Sequence, residues 1–210
     1  MKDKDKHFNG TLDVSGTGRV EVEPDEATVD FGVVTEAKTA GDAVAANAAQ
    51  TKAVVDAVSV QPNHGVTTGG VGVGPIVEYD SSSHATIVGY RATNGVTVKT
   101  KIGYAAQVYD AGIEAGANQS SGIAFGLRDD KPYRQDALRI AVGVAFGEAR
   151  IVAKAAEIEL EGPESISIDS GGGPIYYRSN MVEKSAPATP VIPNNLTISA
   201  SVRVVFRTRT

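Results

Sequence analysis

The glycine-rich run from Gly69 to Gly74 is the stretch closest in composition to a phosphate-binding loop. Such loops need a strand, then glycines, then a helix whose N-terminus points at the anion, and the nucleotide-binding P-loop also carries a lysine. Here Pro75 and a second strand-like segment follow the glycines, and no lysine does. The run therefore predicts a bent or bulged strand, and Gly72 and Gly74 remain candidates for a ligand-contact loop.

Residues that usually bind metals or act as nucleophiles are scattered along the chain. There is no cysteine, and the three histidines, His7, His64 and His84, lie in a tail and in two predicted loops. A Gly-x-Ser-x-Gly nucleophile motif is also absent from the sequence. We therefore predict surface histidines, no metal site, no cofactor and no catalytic residues.

Two groups of acidic residues could in principle pair as acid and base. Asp129 and Asp130 precede the longest predicted helix, where carboxylates stabilise the positive end of the helix dipole. Glu157, Glu159 and Glu161 lie near its other end and indicate a solvated surface. A non-enzymatic protein is therefore favoured, and an enzyme without a recognisable motif is the least favoured alternative.

An aromatic and cationic cluster, Tyr176-Tyr177-Arg178, could stack a ligand or a nucleic-acid base. It lies within residues 170–193, which are rich in Gly, Ser and Pro and predict a long mobile loop. The net charge of -5 argues against nucleic acid, because phosphate binding needs clustered basic residues. We favour a surface or inter-subunit contact, and keep a small-ligand site formed with Gly72 and Gly74 as the alternative.

The longest predicted helix extends from Tyr133 to Leu160 and carries apolar residues on two faces. The first stripe, which is expected to pack on a sheet, comprises Leu138, Val142, Ala145, Ala149, Val152 and Ala156. The second stripe comprises Ile140, Val144, Gly147, Ile151 and Ile158. Two stripes predict burial on both sides, either inside the domain or against another subunit. The second stripe is therefore our candidate interface for a homo-oligomer, and Gly143 and Gly147 would allow close helix approach.

The remaining pattern predicts mostly strands. Residues 11–22, with a flexible or bulged start at Gly16 and Gly18, and residues 27–35 are expected to form a hairpin around a turn at Pro24. Two long strands are predicted at residues 66–79 and 87–101, and two short strands at residues 121–127 and 165–169. The closing strand, residues 196–207, alternates strictly between apolar and polar positions.

Two shorter helices complete the prediction. One is capped by Thr39 and extends to about Val58, and the other covers residues 104–115, with Gly116 as its stop. The order of elements is not a regular βαβ alternation. We therefore predict an α+β fold in which a largely antiparallel sheet packs with two shorter helices and one long helix.

Length and composition set the outer limits. The chain has 210 residues, of which 41% are hydrophobic, so it can form one large domain or two intertwined subdomains over residues 11–210 behind a flexible leader at 1–10. No apolar run approaches the roughly 18 residues that a membrane span needs. The N-terminus lacks an apolar signal core, so the protein is either cytoplasmic or an exported chain from which a signal was removed.

Four stretches together resemble the SIMPL-domain family, whose bacterial members include periplasmic immunogenic and oxidative-stress-defence proteins. They are Gly16–Val58, Ile87–Thr100, Ala115–Leu127 and Leu196–Phe206. The resemblance implies an α+β fold, export to the periplasm or cell surface, and homo-oligomers that include large rings. It supplies no catalytic residues.

One departure from that family concerns the long helix. Its outer side is usually charged in relatives, whereas this chain carries Ile140, Val144, Phe146 and Ile151. Exposed apolar stripes usually mark contacts. We therefore expect a neighbouring subunit to bury this surface, in a cell-envelope protein linked to stress defence that acts by assembly or binding.

Overall fold

The computed structural model describes residues 9–169, 177–179 and 193–209. The elements, in chain order, are β1 (Asn9–Val22), β2 (Glu26–Ala37), α1 (Ala40–Ser59), β3 (Gly65–Tyr79), β4 (Ala85–Thr100), a 3₁₀ turn (Ile102–Tyr104), α2 (Ala105–Glu114), β5 (Gln119–Gly126), α3 (Lys131–Ala155), β6 (Glu159–Asp169), β7 (Tyr177–Ser179) and β8 (Leu196–Arg209). They form a three-stranded sheet of order β1-β8-β6 and a five-stranded sheet of order β3-β4-β2-β5-β7. Every strand pair between described residues is antiparallel, which confirms the α+β prediction.

The chain divides into two compact units, each built from separate parts of the sequence. Unit 1 comprises Met1–Glu23, Asp129–Ile175 and Asn195–Thr210, and unit 2 comprises Pro24–Arg128 and Tyr176–Asn194. Unit 1 therefore contains α3 and the three-stranded sheet. Unit 2 contains the five-stranded sheet with α1 and α2.

In unit 1, β8 is the central strand, and its alternation was predicted correctly. The side chains of Leu196, Ile198, Val202, Val204 and Phe206 are buried on one face. In a strand with one buried face, apolar residues occupy every second position because successive side chains point to opposite faces. This alternation can be recognised in the sequence.

The glycines of β1 do not form the bulged start that we predicted. The strand pairs with β8 without a register shift from Asn9 to Val22. An ideal Cβ at Gly16 would lie 2.6 Å from the backbone N of Ala145, and closer still to the backbone O of Ala141. Gly18 likewise lies against the backbone of α3. Glycine is needed here because the helix backbone occupies the space of a side chain.

The predicted hairpin of β1 and β2 is wrong. The two strands belong to different sheets and different units, with the boundary at Glu23 and Pro24. β1 pairs with the distant β8, whereas β2 pairs with β4 and β5. Alternation identified both strands but could not identify their partners, since partner choice depends on residues far away in sequence.

In unit 2, α1 and α2 pack on one face of the sheet. The predicted cap of α1 is confirmed, since Thr39 Oγ1 accepts a hydrogen bond from the backbone N of Asp42 at 3.1 Å. The predicted stop of α2 is Gly116, whose φ of +111° favours glycine. The core contains mainly valine, alanine and phenylalanine from β2, β4, β5 and these helices.

The glycine-rich run lies inside β3, as predicted, and contains a bulge. Gly69 pairs with Gly95 and Gly72 with Thr93, so β3 carries one extra residue. Gly70, at φ +68°, accommodates the change. Asn94 of β4 lies opposite this bulge, and Gly72 and Gly74 belong to a strand rather than a loop.

The largest differences from the predicted boundaries lie after the long helix. The long helix ends at Ala155 instead of Leu160, because Glu157 adopts φ +54° and β6 begins at Glu159, before the predicted Ser165. Within the predicted loop 170–193, the described residues Tyr177–Ser179 form β7 and pair with β5. Tyr176 and most of that loop lie outside the described residues.

Candidate functional site

The described residues leave the second apolar stripe of α3 largely exposed. Exposure is 46% for Ile140, 38% for Val144 and 70% for Ile151. Ile158 follows the helix rather than belonging to it and is half-buried, so it does not extend the stripe along α3. The described residues therefore do not supply the expected burial inside the domain. A neighbouring subunit remains a prediction.

The glycines between these residues form a smooth surface. At both Gly143 and Gly147, a Cβ would meet no atom within 4 Å outside the local helix backbone. A glycine in a helix interior is less favourable than alanine by about 1 kcal/mol. Packing against the described residues does not explain either glycine, in contrast to Gly16 and Gly18.

The face that docks on the sheet is narrower than predicted. It consists of alanines at four-residue steps, namely Ala137, Ala141, Ala145, Ala149 and Ala153. Leu138, Val142 and Phe146 flank them, and Phe146 meets Phe206 edge to face with centroids 5.0 Å apart. Val152 and Ala156 of the predicted first stripe are exposed. Small residues occupy the centre of this face because the glycines of β1 bring the backbones of β1 and α3 close together.

The helix that carries the uncovered stripe is rich in basic residues, although Glu148 also lies beside the stripe. The 25 residues of α3 include five basic and two acidic ones. Arg139 pairs with Asp136, and Arg134 lies 3.8 Å from Asp130. Arg150 and Lys154 are exposed beside Ile151. This helix is therefore cationic in a chain whose net charge is -5.

A second uncovered apolar surface lies on the projecting part of the β3–β4 hairpin, which we call the arm (residues 73–90). Register places Pro75 opposite Tyr90, Val77 opposite Ile87 and Tyr79 opposite Ala85. Residues directly opposite in an antiparallel pair share a face. We define the apolar arm face as Val73, Pro75, Val77, Tyr79, Ile87 and Tyr90.

The apolar arm face is largely exposed. Exposure is 51% for Val73, 72% for Tyr79 and 56% for Ile87. The opposite face of the arm carries Gly74, Ile76 and Glu78 from β3 and Thr86 and Gly89 from β4. Sequence reasoning missed this surface because the bulge at Ile76 and Val77 shifts which residues of β4 share a face.

The acidic and histidine residues form structural contacts. Buried Glu26 lies 3.2 Å from Lys99 Nζ and 3.5 Å from His64 Nδ1, a contact that the sequence pattern gave no signal for. Asp80 accepts hydrogen bonds from the backbone N of His84 and of Ser82, and these bonds lower its pKa. Among the described residues, no group of three or more His, Asp or Glu side chains could hold a metal ion. His7 lies outside them.

The acidic groups singled out from the sequence also form local contacts. Asp129 Oδ1 accepts from the backbone N of Lys131 at 3.0 Å, next to the N-cap Asp130. Arg209 lies 2.8 Å from Glu159 and 3.7 Å from Glu161. These contacts fit the predicted helix start and solvated end.

The face of the five-stranded sheet opposite the helices carries two open clefts of about 440 and 540 Å³. The larger is lined by Val34, Glu36, Arg91, Thr93, Asn118 and Gln119. Asn118 extends the pairing of β5 with its side chain, because its Oδ1 accepts from Val34 N at 2.9 Å and its Nδ2 donates to Val34 O at 2.7 Å. Arg91 Nε donates to Glu36 Oε1 at 2.8 Å.

The residues predicted to contact a ligand are not brought together as predicted. Gly72 and Gly74 lie on the edge strand β3, whereas Tyr177 and Arg178 belong to β7 at the opposite edge of the same sheet. Tyr176 lies outside the described residues. A ligand role for these residues remains a prediction.

Comparison with known proteins places these surfaces in context. The SIMPL family model, whose description is a protein of unknown function, matches residues 12–206. The chain is similar to the 26 kDa periplasmic immunogenic protein of Brucella melitensis biotype 1, at 27% identity over 212 residues, which cover 92% of this chain and 82% of the relative. The protein of the same name from Brucella abortus strain S19 matches with the same identity and coverage. In the described part of the chain, each helix is too short or too polar to cross a membrane.

Proposed function

The chain belongs to the SIMPL family, and we propose that it is a non-enzymatic, homo-oligomeric protein of the cell envelope that acts by assembly or binding. The uncovered stripe of α3 carries this proposal. Ile140, Val144 and Ile151 are exposed in the single chain, although aliphatic side chains of this size gain from burial. We propose a second copy of the same chain as the partner that buries these side chains, because such a copy is present wherever the chain is present.

Two further observations support assembly over isolated function. Exposed Gly143 and half-buried Gly147 destabilise the helix, and no described residue would contact a Cβ at either position. They would allow a partner to approach the helix backbone closely. The described residues also contain no group of three or more His, Asp or Glu side chains that could hold a metal ion.

The cellular location in this proposal comes from the relatives. Both Brucella proteins are named as periplasmic, and we propose the same compartment for this chain. The link to stress defence rests on the sequence resemblance alone. A periplasmic assembly with uncovered apolar faces could contribute to such defence by forming a large, stable structure or by binding other molecules.

Light scattering coupled to size exclusion tests the proposal. We expect the measured mass of the wild-type protein to be a whole-number multiple, greater than one, of the monomer mass of 21.7 kDa. The double change Ile140→Glu/Ile151→Glu should lower the mass toward that of a monomer, because it places charges in a desolvated interface. A wild-type monomer would refute homo-oligomerisation.

A matched control is available on α1. Val44 and Val60 are also exposed valines near helix surfaces, at 45% and 80%. The double change Val44→Glu/Val60→Glu adds the same charge and should leave the mass unchanged. If both double variants dissociate, added charge alone is responsible, and the stripe is not the interface.

Small-ligand binding is the second candidate, and the open clefts on the five-stranded sheet favour it. The larger cleft offers Arg91, Glu36 and the amides of Asn118 and Gln119. A thermal-shift screen with small polar molecules would test this candidate. A genuine ligand should raise the melting temperature in proportion to its binding, and Arg91→Gln should abolish the shift without lowering the melting temperature of the free chain by more than a few degrees.

A further inference from the structure

We infer that the apolar arm face of one chain docks on the exposed stripe of α3 in a second copy. The inference rests on the proposed homo-oligomer and names the two surfaces that form its contact. One surface belongs to unit 2 and the other to unit 1, so each copy offers both halves of the interface. Such a contact is heterologous, and its repetition closes into a ring or extends as a filament.

The arm is built to present its apolar face rather than its edge. β3 is an edge strand, and no charged residue occurs between Gly65 and Val77. The other long edge strands carry charges, among them Asp13 and Arg19 in β1 and Glu161 and Glu164 in β6. Charges protect an edge from association, so β3 is the edge element least protected in this way.

Strand-to-strand pairing along β3 is nevertheless obstructed. Pro75 lacks a backbone N–H, and the bulge between Gly69 and Gly72 breaks the regular ladder. A partner that extended the sheet would meet both interruptions. A partner that packs on the face would meet Val73, Val77 and Tyr79 instead. The uncharged arm therefore favours a face-on contact.

The stripe of α3 has the complementary shape. Ile140, Val144 and Ile151 project beside the bare backbone at Gly143 and Gly147. This leaves a shallow depression on the helix, into which a large side chain such as Tyr79 or Ile87 can pack.

Charge complementarity identifies a second copy as the occupant. The tip of the arm carries Asp80, and no lysine or arginine occurs between Val73 and Tyr90. Glu78 adds negative charge to the arm, although its side chain lies on the face opposite the apolar arm face. The rim of the stripe carries Arg150, Lys154 and one acidic residue, Glu148, on a helix with five basic and two acidic residues. In a face-on complex, the acidic tip of the arm and this basic rim attract each other. Opposite charges at the rim orient the partners and speed their encounter.

Cysteine crosslinking on the full chain tests the contact, because the chain contains no cysteine of its own. Val77→Cys on the arm and Val144→Cys on α3 are purified separately, mixed, allowed to exchange subunits and treated with a short bismaleimide. We expect a dimer that contains both variants, in clear excess over dimers of either variant with itself. Thr86→Cys, on the opposite face of the arm, is the matched control and should crosslink at least tenfold less.

Other patterns of crosslinking would overturn the inference. Arm-to-arm or helix-to-helix dimers would indicate a symmetric contact of like surfaces. A crosslink within one chain of the Val77→Cys/Val144→Cys double variant, at monomer mass, would make the occupant the chain's own arm. No crosslink in a chain that light scattering shows to be oligomeric would refute this interface and leave the proposed function standing. A monomeric wild type would refute both.

A charge-neutralisation cycle provides a second test that does not depend on crosslinking. Asp80→Asn at the arm tip keeps the side-chain oxygen that accepts from the backbone N of Ser82 and of His84. Asp80→Asn and Lys154→Gln should each weaken assembly by about threefold, the size expected for a rim charge pair. The two changes together should weaken assembly no more than either change alone. Additive weakening in the double variant would contradict the pairing of arm tip and stripe rim.

Discussion

Replacement of Gly16 by alanine should displace the long helix of unit 1. A Cβ at this position would lie 2.6 Å from the backbone N of Ala145, 3.0 Å from its Cβ, and closer still to the backbone O of Ala141. Non-bonded carbon atoms prefer separations of about 3.5–4.0 Å. Because the nearest atoms are backbone, no side-chain rotation relieves the overlap, and α3 must lift by about 1 Å.

The magnitude follows from what that lift would disturb. The docked face of α3 consists of small alanines, so their contacts with β1 and β8 depend on close approach. A gap of 0.5–1 Å forfeits a quarter to a half of each dispersion contact. Overpacking of a core typically costs about 1–3 kcal/mol. We expect Gly16→Ala to lie at or above the upper end of that range.

Urea unfolding followed by far-UV circular dichroism measures this effect, at one fixed protomer concentration. Gly69→Ala is the control, since a Cβ there meets nothing within 4 Å, and it should change stability by less than about 1 kcal/mol. Ala145→Gly should fail to rescue Gly16→Ala, because the closest overlap is with backbone. A loss below about 1 kcal/mol, or full rescue, would refute the close seating of α3 on β1.

Three further predictions concern single side chains. Asn47→Leu should cost about 2 kcal/mol in urea unfolding, because buried Asn47 donates from Nδ2 to the backbone O of Val33 at 2.9 Å; unchanged stability would contradict this. Thr39→Ala should cost about 1 kcal/mol by removing the cap of α1, and hydrogen exchange in its first turn should quicken. A hydrogen bond from the Arg203 guanidinium lowers the pKa of Asp13. Its contribution to stability is therefore complete above the ordinary Asp pKa of about 3.9 and is lost as pH falls through the lowered value. Arg203→Gln should thus reduce the melting temperature at neutral pH but not in strong acid, and an equal reduction at both would be inconsistent.

Local signals in the sequence were sufficient for α1. Thr39 and the buried residues at three- and four-residue steps define where the helix begins and which side faces the sheet. Caps and amphipathic spacing involve neighbours within one or two turns. The same reason explains why the alternation of β8 was predicted correctly.

The phase of α3 could not be predicted in the same way. Valine and alanine are both apolar, so the spacing allowed a docked face centred on either. The choice of alanine at positions 137, 141, 145, 149 and 153 follows from Gly16 and Gly18. Those glycines are more than a hundred residues away in sequence. From the sequence alone, these glycines indicated local flexibility. The structure shows that the backbone of α3 occupies the space of their side chains.

One of the two candidate surfaces could be predicted from the sequence, and the other could not. The stripe at Ile140, Val144 and Ile151 was visible from helical spacing, and only its exposure required the structure. The apolar arm face was not visible, because the bulge at Ile76 and Val77 changes which residues share a face. A shift of one residue moves every following side chain of a strand to the other side of the sheet.

By itself, the sequence determined the α+β class, most strands and helices, the cap of α1 and the apolar character of two faces of α3. These depend on local backbone preference and on side-chain periodicity, which act over a few residues. Only the tertiary structure decided that β1 pairs with β8 rather than β2, that α3 rests on two glycines, and that the arm presents an apolar face. These depend on contacts between distant segments, whose free energy is gained only when the whole fold brings them together.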